Sequence, residues 1–579
     1  MLLKSIIIAG VIVAANALVF PASAKAATIT AASCAQTAVQ TAVNQAQNGD
    51  TVIVPNGSCT WNGAVTLSNN KGVSLMCQTA GSCNITVGGG QAVLMDSLIG
   101  VNNNFYRISG FTFVGGSGFT IWFAGNSDSS TDTMSSIRVD HNTFNPLPGA
   151  IAVFFGHTQG NANFYGVIDH NTLISTGSVM LTQIIGAVNN TPPPSQTGTA
   201  NNMFVEDNTI SITTMTNPGL GCIDAWGNAA YVYRKNTSTN CRVASHGVAH
   251  NGGPQNFEFY DNSIRVDSGA EAAGFGGCYR CFHHHGSGEI MGFNNSFTAF
   301  STKNTSPLEM THYRSTTPSD GGYNTELGRC DGTNSRDGNR SPSSTYFGYP
   351  CWRQPGRDFA GNLKPVYVWN NRWSDTGARI ALNVSNPWIS ISPGVEDHIK
   401  PERDYYNAVS ASAQTSSSAP FNGTTGMGFG LLANRPTTCT TGPELLDAGK
   451  GGVGYWATDT KTLYRCSATN TWTAHYQPYT YPHPLVEAPM QITTGTLPNA
   501  IRQRSYSQTL QASGGSGNYL WSVSSGTLPP GMWLDTASGA IRGRARLKGS
   551  WSFTLTVQDA QNTAVTASQA YTIASRLHF

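Results

Sequence analysis

Charge is scarce in this sequence. Asp, Glu, Lys and Arg make up 11% of the residues, and 33 basic against 31 acidic side chains leave a formal net charge of +2. A chain so weakly charged is neither held open by self-repulsion nor built of helices with charged surfaces. The balance also gives no global reason to expect nucleic acid or an anionic membrane as a partner, although it leaves room for a local basic cleft. Long apolar runs are scarce too. The prominent one, Ser5 to Phe20, follows Lys4 and precedes Ala22-Ser23-Ala24, which is the order of an export signal over residues 1–24, with an alternative cut after Ala26. It is too short, and too quickly followed by polar sequence, to span a membrane. The expected location is secreted or cell surface, with no membrane span in the mature chain.

Cysteines are few but even in number, 12 in 579 residues. In an exported chain that composition points to disulfides. Proximity along the sequence suggests the pairs Cys34/Cys59, Cys77/Cys83, Cys222/Cys241, Cys278/Cys281, Cys330/Cys351 and Cys439/Cys466, though spacing alone leaves the connectivity open. Cys278-Tyr279-Arg280-Cys281 has the spacing of a redox or zinc site, but the sequence holds no second CxxC, and a structural bridge is the expectation.

Glycine, by contrast, is abundant, at 63 residues, and the middle of the chain repeats itself. Val139-Asp140-His141-Asn142-Thr143-Phe144 matches Ile168-Asp169-His170-Asn171-Thr172-Leu173 and Val205-Glu206-Asp207-Asn208-Thr209-Ile210. Tyr233 to Thr237, Phe259 to Ile264 and Gly292 to Phe297 follow the same template, and Val368 to Trp373 is a looser copy. The central asparagines up to Asn295 fall 29, 37, 28, 26 and 33 residues apart. A coil of three short strands and three turns accounts for that period, with neighbouring coils stacked at the strand spacing of about 4.8 Å. Asparagine suits a sharp turn because it tolerates left-handed backbone angles and hydrogen-bonds nearby peptide groups. Stacked asparagines are therefore expected to form an internal ladder with a structural role.

These DHNT-type turns resemble the pectate-lyase-like family of right-handed parallel β-helices over roughly residues 28–400. The resemblance implies an all-β solenoid and an extracellular polysaccharide partner. Asp140-His141 resembles a turn of pectate lyases, but Asp169-His170 repeats it on the next coil, as a turn template would. Residues 27–85 read as a cap, with a polar helix from Cys34 to Ala46 covering the first open coil. The β-helix is expected over 27–400 and a disulfide-pinned extension with a proline-rich exit over 401–491. From about Gln491 the pattern changes to short strands between Gly, Ser and Pro turns. There Leu528-Pro529-Pro530-Gly531-Met532, followed by Gly539 to Gly543, resembles the bacterial Ig-like domain family. That resemblance implies a small β-sandwich over 492–579, usually a spacer or binding accessory.

Aligning the strands after the asparagine turns by their terminal glycines places Ala152–Gly156, Ile223–Gly227, Val243–Gly247 and Phe282–Gly286 in one register. With Ile223, Ala225, Val243, Ser245 and Phe282 inward, alternation sends Asp224, Trp226, His246, His283 and His285 outward on one sheet, and His284 inward. Tyr279, Arg280, Arg242 and His250 flank them. Acidic polysaccharides are commonly cut by β-elimination, which requires a cation for the sugar carboxylate, a base and an acid. Arg280 or Arg242 suits the first task and His246, His283 or His285 the proton transfers, while Trp226 would stack on a sugar. Asp224 completes the catalytic set, with Arg242, His250, Tyr279, Trp226, Phe155 and Trp122 as substrate contacts. The plain alternative is a row of exposed polar side chains on a long sheet.

Several motifs are missing. There is no adjacent Asp-Asp pair for a hydrolase, and Ser245-His246-Gly247 only partly matches the Gly-His-Gly of polygalacturonases. The RxPxxR motif of pectate lyases is absent, Arg353-Gln354-Pro355-Gly356-Arg357 being one residue short. Calcium is the cofactor that the lyase resemblance implies, yet no calcium loop is visible, and a transition metal on His246, His283 and His285 is a separate option. The expected function is cleavage of an acidic glycan by a lyase, with a non-catalytic glycan-binding adhesin or a glycoside hydrolase as the alternatives.

Overall fold

The computed structural model describes residues 27–95, 101–125, 132–156, 162–186, 196–214, 221–245, 254–267, 281–285, 288–299, 307–311, 355–357, 362–384, 399–408, 415–416, 419–442, 444–445, 449–486, 490–513, 519–559 and 566–576. Three parallel sheets of 13, 10 and 10 strands stack along one axis. One coil takes a strand from each, as in Ala230–Arg234, Thr237–Thr239 and Val243–Ser245. The next coil takes Asn256–Tyr260, Ser263–Val266 and Phe282–His285. The parallel β-helix expected from the repeat is therefore present. Its first sheet continues to Tyr405–Asn407, a few residues past position 400.

The coils are aligned by the asparagines of the repeated turn. Asn142, Asn171, Asn208, Asn236, Asn262, Asn295 and Asn371 are all buried. Each of the first six donates from Nδ2 to Oδ1 of the next at 2.8–3.2 Å, and the same Oδ1 accepts the previous asparagine's backbone N–H. The Nδ2 groups also reach back to the preceding coil, as Asn236 does to Val205 O at 2.8 Å. The left-handed turn residue is the one before each ladder asparagine: His141, His170, Asp207, Lys235, Asp261, Asn294 and Asn370 all have φ between 54° and 58°. One coil earlier that place is taken by Gly110 at φ 83°, and the ladder ends where Phe111 N donates to Asn142 Oδ1.

Inside, like residues stack on like. Phe111, Phe113 and Phe144 form one aromatic row, with centroids 5.3 and 5.6 Å apart. The polar helix lies at Gln36–Gln45 and buries Val39, Ala42 and Val43 over the first coil. The disulfides Cys34–Cys59, Cys77–Cys83, Cys222–Cys241 and Cys439–Cys466 form as expected. Cys281 is also bridged, while Cys278, Cys330 and Cys351 lie outside the described residues, and so does the segment 1–24. Among the described residues no helix is long and apolar enough to cross a membrane.

After the last coil the chain folds back. Gly454–Ala457, Thr462–Ala468 and Thr471–Tyr476 form an antiparallel sheet, with Met427–Gly430 added in parallel. This extension packs Met427, Tyr455, Trp456, Leu463 and Tyr476 against Val232, Tyr260, Phe293, Tyr367 and Trp369, the outer face of the first sheet. Beyond it, two small sheets of four and three strands enclose Trp521, Ile541, Phe553, Leu555, Val557 and Ile573.

Asn236→Ala is expected to leave the Asn208 N–H and Nδ2 and the Val205 carbonyl without their ladder partners. At about 1–3 kcal/mol per orphaned buried group, a loss of roughly 3 kcal/mol or more should appear in urea unfolding of the purified protein. Substitution of the exposed Thr209, which lies beside the ladder, should cost far less.

Candidate functional site

The outer face of the third sheet carries two successive kinds of surface. Phe119, Trp122, Phe154, Met180, Ile185 and Trp226 form a separate apolar cluster on it. Phe154 stacks on Phe119 at 4.1 Å, and Trp122 Nε1 donates to Gly156 O at 2.7 Å. The strand ladder places Trp122 level with Phe154, then Gln183, then Asp224. Ile223 pairs with Val243, which puts Asp224 level with Ala244, and Ala244 pairs with His283, which pairs with Glu309. One row therefore runs from aromatic to ionisable side chains along the axis.

Phe155 does not belong to this face. It pairs with Ile184, level with Ala225, and stacks inward on Phe123 at 4.9 Å. The glycine alignment is one residue out at this coil, because Gly156 stands where later coils carry Ile185 and Trp226. A Cβ on Gly156 would come 2.8 Å from the Ile185 Cβ, so that glycine answers to a close approach and does not mark the strand end. Phe154 is the aromatic residue that faces outward.

The ionisable part of the row is covered, which corrects the expectation of a solvent face. Asp224 is 5% exposed, Arg242 8%, His283 1% and Glu309 0%. Asp224 accepts from Gln183 Nε2 at 2.9 Å. Arg242 Nη2 donates to His283 Nδ1. Because Nδ1 accepts, the imidazole proton sits on Nε2, which faces Glu309 Oε1 at 3.5 Å. Nδ1 is thereby taken by Arg242, while the Nε2–Glu309 approach is an ion-pair distance that does not meet hydrogen-bond geometry. His284 points inward as expected, against Phe257 and with Nδ1 2.7 Å from Ser245 Oγ.

The described part of the site thus joins Asp224, Arg242 and His283, with Trp122 and Trp226 on the adjoining aromatic cluster. His246, His250, Tyr279 and Arg280 lie outside the described residues, and for His285 only the strand backbone is described. Sequence reasoning missed Glu309, although Leu308-Glu309-Met310 carries the inward-outward-inward alternation of the preceding strand. Among the described residues no group of three or more His, Cys, Asp or Glu side chains converges as a metal site.

A second concave surface is built on the first sheet. Between the first sheet and the extension is a cleft of about 570 Å³, lined among others by Lys235, Asn294, Trp456, Lys461 and Tyr481. The buried Arg234 forms its inner end. Arg234 binds Glu206 at 2.6 Å, the Tyr260 hydroxyl at 2.9 Å and the carbonyls of Tyr479 and Thr480 at 2.8 Å each. Burial pushes the Glu206 carboxyl up, against the pull of Arg234. Next along the chain that leaves the extension, a strap over the first sheet, the His483 backbone N–H donates to Glu206, and its Nδ1 accepts from Leu485 N. Burial, followed by the nearby Arg234 charge, lowers the His483 pKa to about 4.

A buried histidine with a depressed pKa stays neutral when folded but takes up a proton when unfolded. Its contribution is present above about pH 6.5 and is lost as pH falls toward 4. At most roughly 3 kcal/mol is involved. Glu206 shifts in the opposite sense, so the comparison must isolate His483. His483→Gln, which keeps an acceptor for Leu485 N, is expected to flatten the fall in melting temperature between pH 6.5 and 4 relative to the parent chain.

Comparison with known proteins bears on the C-terminal part. The profile of the family described as Putative Ig domain matches residues 488–575, the region of the two small sheets. No curated protein matches the chain.

Proposed function

We propose that this is an extracellular protein that cleaves an acidic polysaccharide by β-elimination on the outer face of the third sheet. The observation that carries the reading is the Arg242–His283–Glu309 chain, seated beside an aromatic cluster on one face of the solenoid. A guanidinium whose Nη2 donates to a buried imidazole is fixed in direction, and a fixed guanidinium suits bidentate capture of a uronic-acid carboxylate. Capturing that carboxylate acidifies the proton on the carbon beside it and stabilises the carbanion character of the transition state.

In the reaction a base removes that proton, the electron pair forms a ring C=C bond, the glycosidic C–O bond breaks, and the leaving oxygen takes up a proton. His283 is a positioning residue in this scheme, since its Nδ1 is taken by Arg242 and its ring is buried. The base is assigned to His285, two residues further along the same strand, with His246 and Arg280 as the other members of the set. Trp226 and Trp122 provide sugar-stacking surface. Hydrolysis has weaker support. Asp224 and Glu309 stand three coils apart, roughly 14 Å at the strand spacing, whereas paired glycosidase carboxyls lie about 5–9.5 Å apart.

The burial of Asp224, Arg242, His283 and Glu309 counts against turnover on this face and favours one rival, a glycan binder that uses the adjoining aromatic cluster. Ultraviolet absorbance of unsaturated sugar ends, followed over a panel of uronic-acid polysaccharides, separates the two. The lyase reading expects product from the parent chain, at least about a hundred-fold less from His285→Ala, and a raised KM from Arg242→Lys. Binding without any product would leave the binder in its place.

A further inference from the structure

We infer that the cleft between the first sheet and the C-terminal extension is a second carbohydrate site, one that takes an acidic oligosaccharide. This rests on the proposed function only for the glycan class. The site is distinct from the Arg242–His283 face, because it is built on the first sheet and completed by Phe429, Trp456, Lys461 and Tyr481 of the extension.

The turn residues that precede the ladder asparagines form a column along the solenoid edge, and the later ones, Lys235, Asp261, Asn294 and Asn370, line the cleft. They are tied to one another, Lys235 Nζ lying 3.3 Å from Asp261 and Asn370 Nδ2 donating to Asn294 Oδ1 at 2.7 Å. Behind them Tyr260, Phe293 and Trp369 stack at 4.6 and 4.3 Å on successive coils. These rings are buried and make a rigid floor.

The extension adds the opposite wall. Trp456 packs 5.2 Å from Phe293 and 5.1 Å from Trp369, and Thr458, Thr460 and Lys461 follow it at the turn into the next strand. Tyr481 closes the end, 45% exposed, with its hydroxyl 3.0 Å from Asp207 and its ring 4.6 Å from Lys235 Nζ. Its hydroxyl donates to that carboxylate, and burial, followed by this donation, raises its pKa to about 12.

Three features of this lining select the ligand. Its volume lies within the range of small-molecule sites, about 300–1,000 Å³. Aromatic rings beside amide and hydroxyl groups match the alternating apolar faces and hydroxyl edges of pyranose rings. Arg234 and Lys235 are answered by Glu206 and Asp261, and Lys461 is the remaining cation of the lining, so an anionic sugar with its carboxylate toward Lys461 is favoured over a neutral one. The cleft is ready-made, because buried bonds between Arg234 and the Tyr479 and Thr480 carbonyls hold its two sides together.

Isothermal titration calorimetry on the full chain, with galacturonate oligomers of two to four units and with neutral cello-oligosaccharides of the same lengths, tests this inference. The parent chain should bind the acidic oligomers, more weakly as salt rises, and the neutral ones at least about ten-fold less tightly. Lys461→Asn, which tolerates the left-handed angle at that turn, and Tyr481→Ala should each weaken acidic binding about ten-fold with little change in melting temperature. Arg242→Ala should leave cleft binding intact, and the cleft variants should leave turnover of short substrates unchanged. Binding without turnover would sink the lyase and keep the cleft. Absence of binding, equal binding of neutral sugars, or binding lost in Arg242→Ala but kept in both cleft variants would overturn the inference.

Discussion

The asparagine ladder is the interaction on which the rest of the structure depends. In a solenoid each coil has only its neighbours for support, so an error of one residue in register would turn a strand's buried set outward. The ladder suppresses that error at one fixed point per coil. Each side-chain oxygen accepts both the backbone and the side-chain N–H of the asparagine before it, so a shifted coil would lose two buried hydrogen bonds at once. Placing the left-handed residue just before the ladder, on a solvent-facing position, frees that residue to vary. It is His, Asp, Lys or Asn in different coils, and this variation gives the edge of the solenoid its chemistry.

A sheet whose outer face is buried must neutralise what it buries, and the first sheet does so in matched rows. Arg107 grips Asp140 in a two-pronged pair at 2.8 Å, and Arg138 grips Asp169 at 3.0 Å. Burial alone would push the Asp140 carboxyl up, but Arg107 and Arg138 overcome it and hold that carboxyl well below the usual range. Further along, Glu258 accepts from the Tyr476 hydroxyl at 2.6 Å, and Glu289 pairs with His475 at 2.8 Å. Buried charges of this kind contribute little net stability and are costly to break. Their effect here is to fix where the extension sits, and so to fix the shape of the cleft.

The sequence disclosed whatever is local. The ladder, the cap helix, the inward turn of His284 and four disulfides are each encoded within a few residues or in a repeating spacing. The position of Phe155 was not legible, because the glycine that resembles a strand end there answers instead to the approach of Ile185 from the next coil. Glu309 was hidden for a different reason: the ladder interval from Asn295 to Asn371 is 76 residues, which broke the period just where its strand begins. The burial of Asp224 and His283 is tertiary and leaves no trace in alternation, which distinguishes the two faces of a strand but not a wet face from a covered one.

The cleft was the least legible feature, and the reason is physical. Its parts are separated in sequence by more than 200 residues, as in the 245-residue span between Arg234 and Tyr479. An arginine in a repeated turn and a tyrosine in a proline-rich tail carry no mark of each other. Their meeting follows from the solenoid's geometry: the last coil leaves an open end and a broad apolar outer face, and the chain that follows buries its own aromatic residues by folding back along that face. The strap cannot cover the face without leaving a trough where the turn column projects. The trough then inherits its polarity from the residues that the ladder leaves free to vary, so the device that enforces register also supplies the surface on which a ligand can be selected.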